Sequence, residues 1–228
     1  MMQIEIRDVC YEYKTKKRHT KAVQGITYTF EPGRFYAIVG ASGCGKTTLL
    51  SLLAGLRLPT AGDVIINGEN TKTADCLKIR RESLSVIYQD FNLFPYLTAE
   101  ENAEYSLLLK KTPKGAARKK ARETLEKLGI TEDQFGSMPS NLSGGEQQRV
   151  AIARALAADC RIILADEPTG SLDSKNSSNI VDILRDLAHE DGCCVIVVTH
   201  DRSVSEKADD VIELSDGRID KASTATKS

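Results

Sequence analysis

The sequence predicts an α/β fold with an N-terminal β lobe and an inserted α-helical lobe. Three observations predict it. Residues 35–39, Phe-Tyr-Ala-Ile-Val, form an apolar run of strand length that passes through Gly40 into a helix near Lys46. Strand–helix alternation returns after Ser143. Between Asp90 and Asn141 the residues favour only helices and loops.

The elements follow in order. Ile4 and Ile6 alternate with Glu5 and Arg7, the period of a half-buried strand. Residues 27–30 are β-branched and aromatic, and Glu31-Pro32-Gly33 makes a turn into the 35–39 strand. Leu49, Leu50, Leu52 and Leu53 give the helix at Lys46 its apolar side. Val64-Ile65-Ile66 followed by Asn67-Gly68 is a hairpin signal. In the middle segment, Thr112 is expected to cap a helix with Pro113 at its first position. Ala117, Ala121, Leu125 and Leu128 form one face of it. Arg118, Lys119, Lys120 and Arg122 point elsewhere and read as a solvated face rather than a nucleic-acid site. Residues 150–156 are helical and residues 162–165 are a buried strand. Ile180, Ile183, Leu184 and Leu187 mark an amphipathic helix. Residues 193–198 form another buried strand, and residues 211–219 a closing hairpin around Asp216-Gly217. The division is one domain: residues 1–89 β lobe and first part of the core, 90–149 helical lobe, 150–220 the rest of the core, 221–228 a frayed polar tail.

Composition bounds the function. Of 228 residues, 41% are hydrophobic and 28% charged, so the chain can build a sizeable core. Lys+Arg 31 against Asp+Glu 32 leaves a net charge of −1, with no global basic field for nucleic acid. The longest uncharged apolar stretches, 47–56 and 193–199, fall short of the ~18 residues a membrane span requires. The first thirteen residues carry Glu5, Asp8 and Glu12 and lack the apolar core of a signal peptide. A cytosolic chain is the expectation. Its six cysteines match no zinc template and read as small hydrophobes.

Gly40-Ala41-Ser42-Gly43-Cys44-Gly45-Lys46-Thr47 satisfies G-x-x-x-x-G-K-[ST], between a strand and a helix that continues through Thr48. Glycines let successive N–H groups turn toward phosphate. Lys46 places charge on the terminal phosphates, and Thr47 offers a hydroxyl to Mg²⁺. The helix N-terminus adds partial positive charge. Cys44 occupies a variable position of the loop, and its plainer reading is a tolerated small residue. Residues 162–165 end in Asp166-Glu167, two carboxylates at the C-terminal edge of a buried strand, where open α/β sheets bind ligands. Asp166 suits the metal. Glu167 suits a general base that polarises the attacking water.

Leu142-Ser143-Gly144-Gly145-Glu146-Gln147-Gln148-Arg149 contains a capping box, Ser143 with Glu146. Its two glycines resist a purely structural account, because glycine costs about 1 kcal/mol relative to alanine in a helix. They resemble a second phosphate clamp.

On these motifs the chain resembles ABC-type ATPases, the nucleotide-binding subunits of ABC transporters, over roughly residues 4–219. Residues 142–147 resemble the family signature, with Glu146 where many members have glutamine. The run LSGGEQQRVAIARAL with Asp166-Glu167-Pro168-Thr169-Gly170 is most similar to the macrolide-export, lipoprotein-releasing, antimicrobial-peptide and cell-division subgroup. The resemblance implies a P-loop NTPase (RecA-like) core that binds ATP and Mg²⁺ and hydrolyses ATP. It implies that Tyr13 stacks on adenine, with Tyr11 as the fallback, and that Gln89 touches Mg²⁺ and the attacking water. His200 resembles the histidine that bonds the γ-phosphate. Asp173, in Ser171-Leu172-Asp173, resembles the loop that crosses the dimer interface. Each ATP would lie between one protomer's Lys46 loop and its partner's Ser143, Gly144 and Gly145, in a homodimer or heterodimer. The apolar stretch Asp90, Phe91, Asn92, Leu93, Phe94, Pro95, Tyr96 and Leu97 would receive a membrane permease, holding the chain at the cytoplasmic face of the membrane. Transported substrate and direction are left to that permease. Cell-wall remodelling and soluble, non-transport ABC ATPases are the alternative settings.

Overall fold

The computed structural model describes residues 2–14, 19–170 and 174–224, without the side chains of residues 174 and 175. Its elements run β1 (Ile4–Lys14), β2 (His19–Phe30), β3 (Arg34–Val39), α1 (Lys46–Leu53), β4 (Ala61–Ile66), β5 (Glu69–Asn70), α2 (Cys76–Glu82) and β6 (Leu84–Ile87). Then come α3 (Ala99–Leu109), α4 (Lys114–Lys127), α5 (Gly144–Ala157), β7 (Ile162–Asp166), α6 (Ser174–His189), β8 (Cys194–Val198), α7 (Arg202–Lys207), β9 (Asp210–Ser215) and β10 (Arg218–Thr224).

Two sheets form. The N-terminal one is antiparallel, in the order β2-β1-β4-β5. The other has the order β10-β9-β3-β8-β7-β6, parallel except for β10. This is the α/β core with β lobe and helical insert that the apolar periodicity predicts.

Alternation along the central strands divides the core in two. Phe35 and Ala37 join Ile163, Ala165, Val195 and Val197 on the face covered by helices. Tyr36 and Ile38 join Ile162, Leu164, Ile196 and Val198 on the face toward α1 and the β lobe. Strands apolar on both faces must lie inside a three-layer sandwich, because each fully buried aliphatic side chain contributes about 1.5–3 kcal/mol only if covered.

Both hairpin signals are realised. Asn67 and Gly68, and Asp216 and Gly217, all take positive φ, as a two-residue turn matched to strand twist requires. Pairing of β10 reaches Thr224, opposite Asp210, so the strand runs past residue 220. The start of α4 differs from expectation by one residue. Pro113, at φ −54 and ψ 135, is the N-cap, and its carbonyl accepts the first helical bond from Ala117 at 2.9 Å. Thr112 instead binds backward, its N–H donating to Leu107. The basic run on α4 is matched to carboxylates: Arg118 and Arg122 to Glu100, Lys119 to Glu123, and Lys120 to Asp159.

The parallel register positions the site. Ile38 pairs with Val198, and Val198 with Asp166, so β3, β8 and β7 end at one level. The segments that follow them, beginning at Gly40, Thr199 and Glu167, therefore meet along one edge. Gln89 arrives there two residues after β6.

Candidate functional site

At that edge lies an open cleft of about 1000 Å³. Tyr13, the loop from Gly40 through Thr48, Gln89, Asp166, Glu167 and His200 all line it. Ser143, Gly144 and Gly145 do not. Asp173 falls outside the described residues.

The loop is held by its own lysine. Lys46 Nζ donates to the Gly40 carbonyl at 2.7 Å and the Ala41 carbonyl at 3.0 Å. An ammonium has three donors, so one remains for the cleft. Gly45 caps α1 in the left-handed region, φ 109, and a Cβ there would stand 2.1 Å from the Ala22 carbonyl oxygen. Gly45→Ala should therefore destabilise the fold by about 1–3 kcal/mol. Urea denaturation measures this, and unchanged stability would refute the close approach.

Two strands distant in sequence close the loop from outside. Gly217 N–H donates to the Cys44 carbonyl at 2.9 Å, and Gln24 Nε2 donates to the Asp216 carbonyl at 2.7 Å. Thr20, Lys21, Ala22, Gln24, Asp216 and Gly217 consequently line the same cleft. Nothing in the motif marks them; only the pairing of β2 with the closing hairpin brings them in.

The acidic pair occupies the cleft floor. Asp166 Oδ1 accepts from the Thr47 hydroxyl at 3.5 Å. Burial pushes the Asp166 carboxyl above the usual range; the Thr47 bond pulls it down and the Glu167 charge adds to the rise. Glu167 has φ +48, a conformation a bulky residue rarely holds without a reason. Its N–H donates to the Val198 carbonyl, locking the turn to β8. Its carboxylate accepts from the Thr199 hydroxyl at 3.0 Å and pairs with His200 Nδ1 at 2.7 Å. That bond and the Glu167 charge raise the His200 pKa.

Tyr13 also lines the cleft and is 37% exposed. Its hydroxyl shares a 3.1 Å hydrogen bond with Thr48 Oγ1, and Tyr11 meets its ring edge to face at 5.0 Å. Tyr11 is not among the cleft residues.

Ser143 caps α5. Its hydroxyl and N–H donate to Glu146 Oε2 at 2.8 and 2.7 Å, and it accepts from Glu146 N–H at 3.4 Å. Glu146 therefore closes the cap with a carboxylate, and the Ser143 bonds hold its pKa down. Ser143 and Gly144 are exposed, aiming no contact at their own chain's cleft.

The segment at residues 90–97 is braced from behind. Buried Asn102 on α3 accepts from Phe94 N–H at 2.8 Å and donates to the carbonyls of Phe94, Leu97 and Thr98. Arg154 on α5 donates to the carbonyls of Asn92 at 2.6 Å and Phe91 at 2.9 Å. Both of those residues have positive φ. Phe94 packs on Tyr105, while Tyr96 is left 89% exposed. Sequence reading places Arg154 within a helix without assigning it this work.

A glycine loop at a strand–helix junction after β3, with carboxylates at the end of β7 one strand beyond the neighbouring β8, defines a P-loop nucleotide-binding domain. The ABC transporter family model matches residues 23–170. The chain is 43% identical over 219 residues to the macrolide export ATP-binding/permease protein MacB of Brucella melitensis, covering 95% of this chain and 34% of that protein. It thus spans about a third of the length of the macrolide-export relatives it matches. It is 41% identical to the ABC transporter ATP-binding protein MJ0796 of Methanocaldococcus jannaschii, covering 96% of this chain and 95% of that one. The dimeric post-hydrolysis structure of MJ0796 bound to ADP and Pi superposes with a TM-score of 0.94, at 38% identity, over 99% of this chain and all of that one. The chain belongs to the ABC transporter family and is an ATP-binding cassette, an ATPase.

Proposed function

We propose that this cassette energises a separate membrane permease through ATP-dependent head-to-tail dimerisation. The observation that carries the reading is the separation of two phosphate-type loops: Gly40 to Thr48 line the cleft, while Ser143, Gly144 and Gly145 lie outside it, the first two exposed and Gly145 half-buried. A second copy or a sibling subunit can bring the latter onto the former. The relatives' names and the dimeric MJ0796 structures support it.

In this reading Lys46 and the loop amides hold the β- and γ-phosphates, and Tyr13 stacks on the base. Thr47, Asp166 and Gln89 would hold Mg²⁺, since hydroxyl, carboxylate and amide oxygens are the hard donors that ion takes, and the desolvated Asp166 carboxylate gains from a cation. Such a cation supplies charge neutralisation for the phosphate oxygens. Glu167 takes the proton of the attacking water, held in place by Thr199 and His200. His200 and the partner's serine–diglycine loop contact the γ-phosphate, and loss of that phosphate opens the dimer. Residues 90–97 pass the motion to the permease, with Tyr96 exposed and the backbone on either side of it pinned by Asn102 and Arg154. The chain would sit peripherally on the cytoplasmic face. The setting is export or extraction of a peptide, lipoprotein or antibiotic-like substrate; the macrolide-export names of several relatives support the antibiotic-like case.

Ser143→Arg tests the shared site. It should abolish ATP-driven dimerisation by light scattering while monomer ATP affinity stays within about twofold. Intact dimers in this variant would sink the reading.

A further inference from the structure

Arg57 lies on the residues that follow α1, held to its last turn by N–H donation from Leu56 and Arg57 to the Ser51 carbonyl. Its guanidinium stands over two rings, 5.3 Å from the Tyr13 centroid and 5.6 Å from that of Tyr11. It also donates to the Tyr11 hydroxyl at 2.9 Å. Arg57 is exposed and is not among the cleft residues, whereas Tyr13 is. No carboxylate is paired with it among the ion pairs of the described residues. Its contacts are with the two tyrosines.

We propose that Arg57 is a positioning residue that presets Tyr13 for the purine base and so strengthens the base end of ATP binding. The proposal rests on the reading of Tyr13 as the base platform. Three constraints meet on that ring: the Tyr11 edge, the Thr48 hydroxyl and the Arg57 cation. An exposed tyrosine on a strand otherwise samples several rotamers, and fixing it before binding removes an entropy loss from the binding step. A guanidinium over an aromatic face does this without covering the ring with an apolar group.

One helix, α1, has Lys46 and Thr48 in its first turn and Arg57 beyond its last, so the phosphate loop and the residues that hold Tyr13 belong to the same rigid rod. Thr48, on that helix, adds the second tie to Tyr13.

The test compares ATP with inorganic tripolyphosphate, which shares the phosphates and lacks the base. In the full chain, Arg57→Met should raise KM and Kd for ATP about three- to tenfold, with kcat within about twofold. Its inhibition by tripolyphosphate should be unchanged. Arg57→Lys, which keeps a cation over the ring, should recover most of the ATP affinity. Tyr13→Ala should weaken ATP and leave tripolyphosphate alone. If Arg57→Met binds ATP normally while Tyr13→Ala does not, Arg57 has no such role. Equal weakening of ATP and tripolyphosphate by Arg57→Met also overturns it, because that is the mark of a disturbed α1. Normal ATP binding by Tyr13→Ala instead removes the platform reading itself, and the proposal falls with it.

Discussion

Glu167→Gln is expected to slow ATP turnover by about 10²-fold or more while ATP affinity stays within a few-fold. The geometry makes the substitution selective. Glu167 accepts from the Thr199 hydroxyl through one oxygen and meets His200 Nδ1 through the other. A glutamine oxygen can still accept from Thr199, and its NH₂ can donate to a neutral imidazole nitrogen. The left-handed turn, locked by the bond from Glu167 N–H to Val198, does not depend on the side chain's charge. What disappears is basicity, and with it the group that would accept the water proton. The His200 pKa, raised by the Glu167 bond and charge, should fall back toward its ordinary value. Phosphate release and an ATP titration on the same preparation separate the two effects. Turnover near wild type would remove Glu167 from the role of base. Loss of binding and turnover together would point to a structural role.

The cleft is legible in the sequence wherever it is built from neighbours. Gly40 to Thr47 form one contiguous motif, and the strand and helix flanking it are readable from apolar runs. Asp166-Glu167 and His200 are readable because apolar runs of strand length immediately precede them. A parallel sheet puts all such strand ends on one edge, whatever the loops between them do.

What long-range pairing builds is not legible. Ala22 and Gly217 meet across nearly the whole chain, so no spacing rule links the carbonyl of one to the glycine of the other. Arg154 illustrates a second limit. A charged residue in a helical pattern reads as solvent-facing, yet this one is half-buried, and desolvation lowers its pKa. It donates to the two carbonyls at Phe91 and Asn92, where the backbone is left-handed and no strand or helix supplies a donor. Asn102 does the same for the carbonyls of Phe94, Leu97 and Thr98. Irregular loops are satisfied by polar side chains arriving from packed helices, and helical periodicity alone does not say which polar residue is recruited. Pro113 marks a finer limit: its ring fixes φ but leaves ψ to the tertiary structure, so it serves as N-cap instead of first helical residue.

Lys46→Ala should lower ATP affinity by about 10²-fold, and tripolyphosphate affinity by a similar factor. Hydrogen bonds to charged groups contribute about 1.5–3 kcal/mol each, so losing one ammonium from a phosphate site reaches that range. A second effect acts in the same direction. Lys46 ties the Gly40 and Ala41 carbonyls of the loop. Without those ties, carbonyl oxygens are free to turn toward a phosphate, adding repulsion where attraction was lost. The fold should survive, because alanine is the best helix former and Lys46 is the first residue of α1. Lys46→Arg separates the two effects: it keeps the charge but replaces a compact ammonium with a wide planar fork that cannot make the same pair of carbonyl bonds. An intermediate loss is expected for it. Calorimetric titration of both variants with ATP and with tripolyphosphate reads the result. Equal affinities for Lys46→Ala and wild type would exclude the glycine loop as the phosphate site. A loss seen with ATP but not with tripolyphosphate would move Lys46 away from the phosphates.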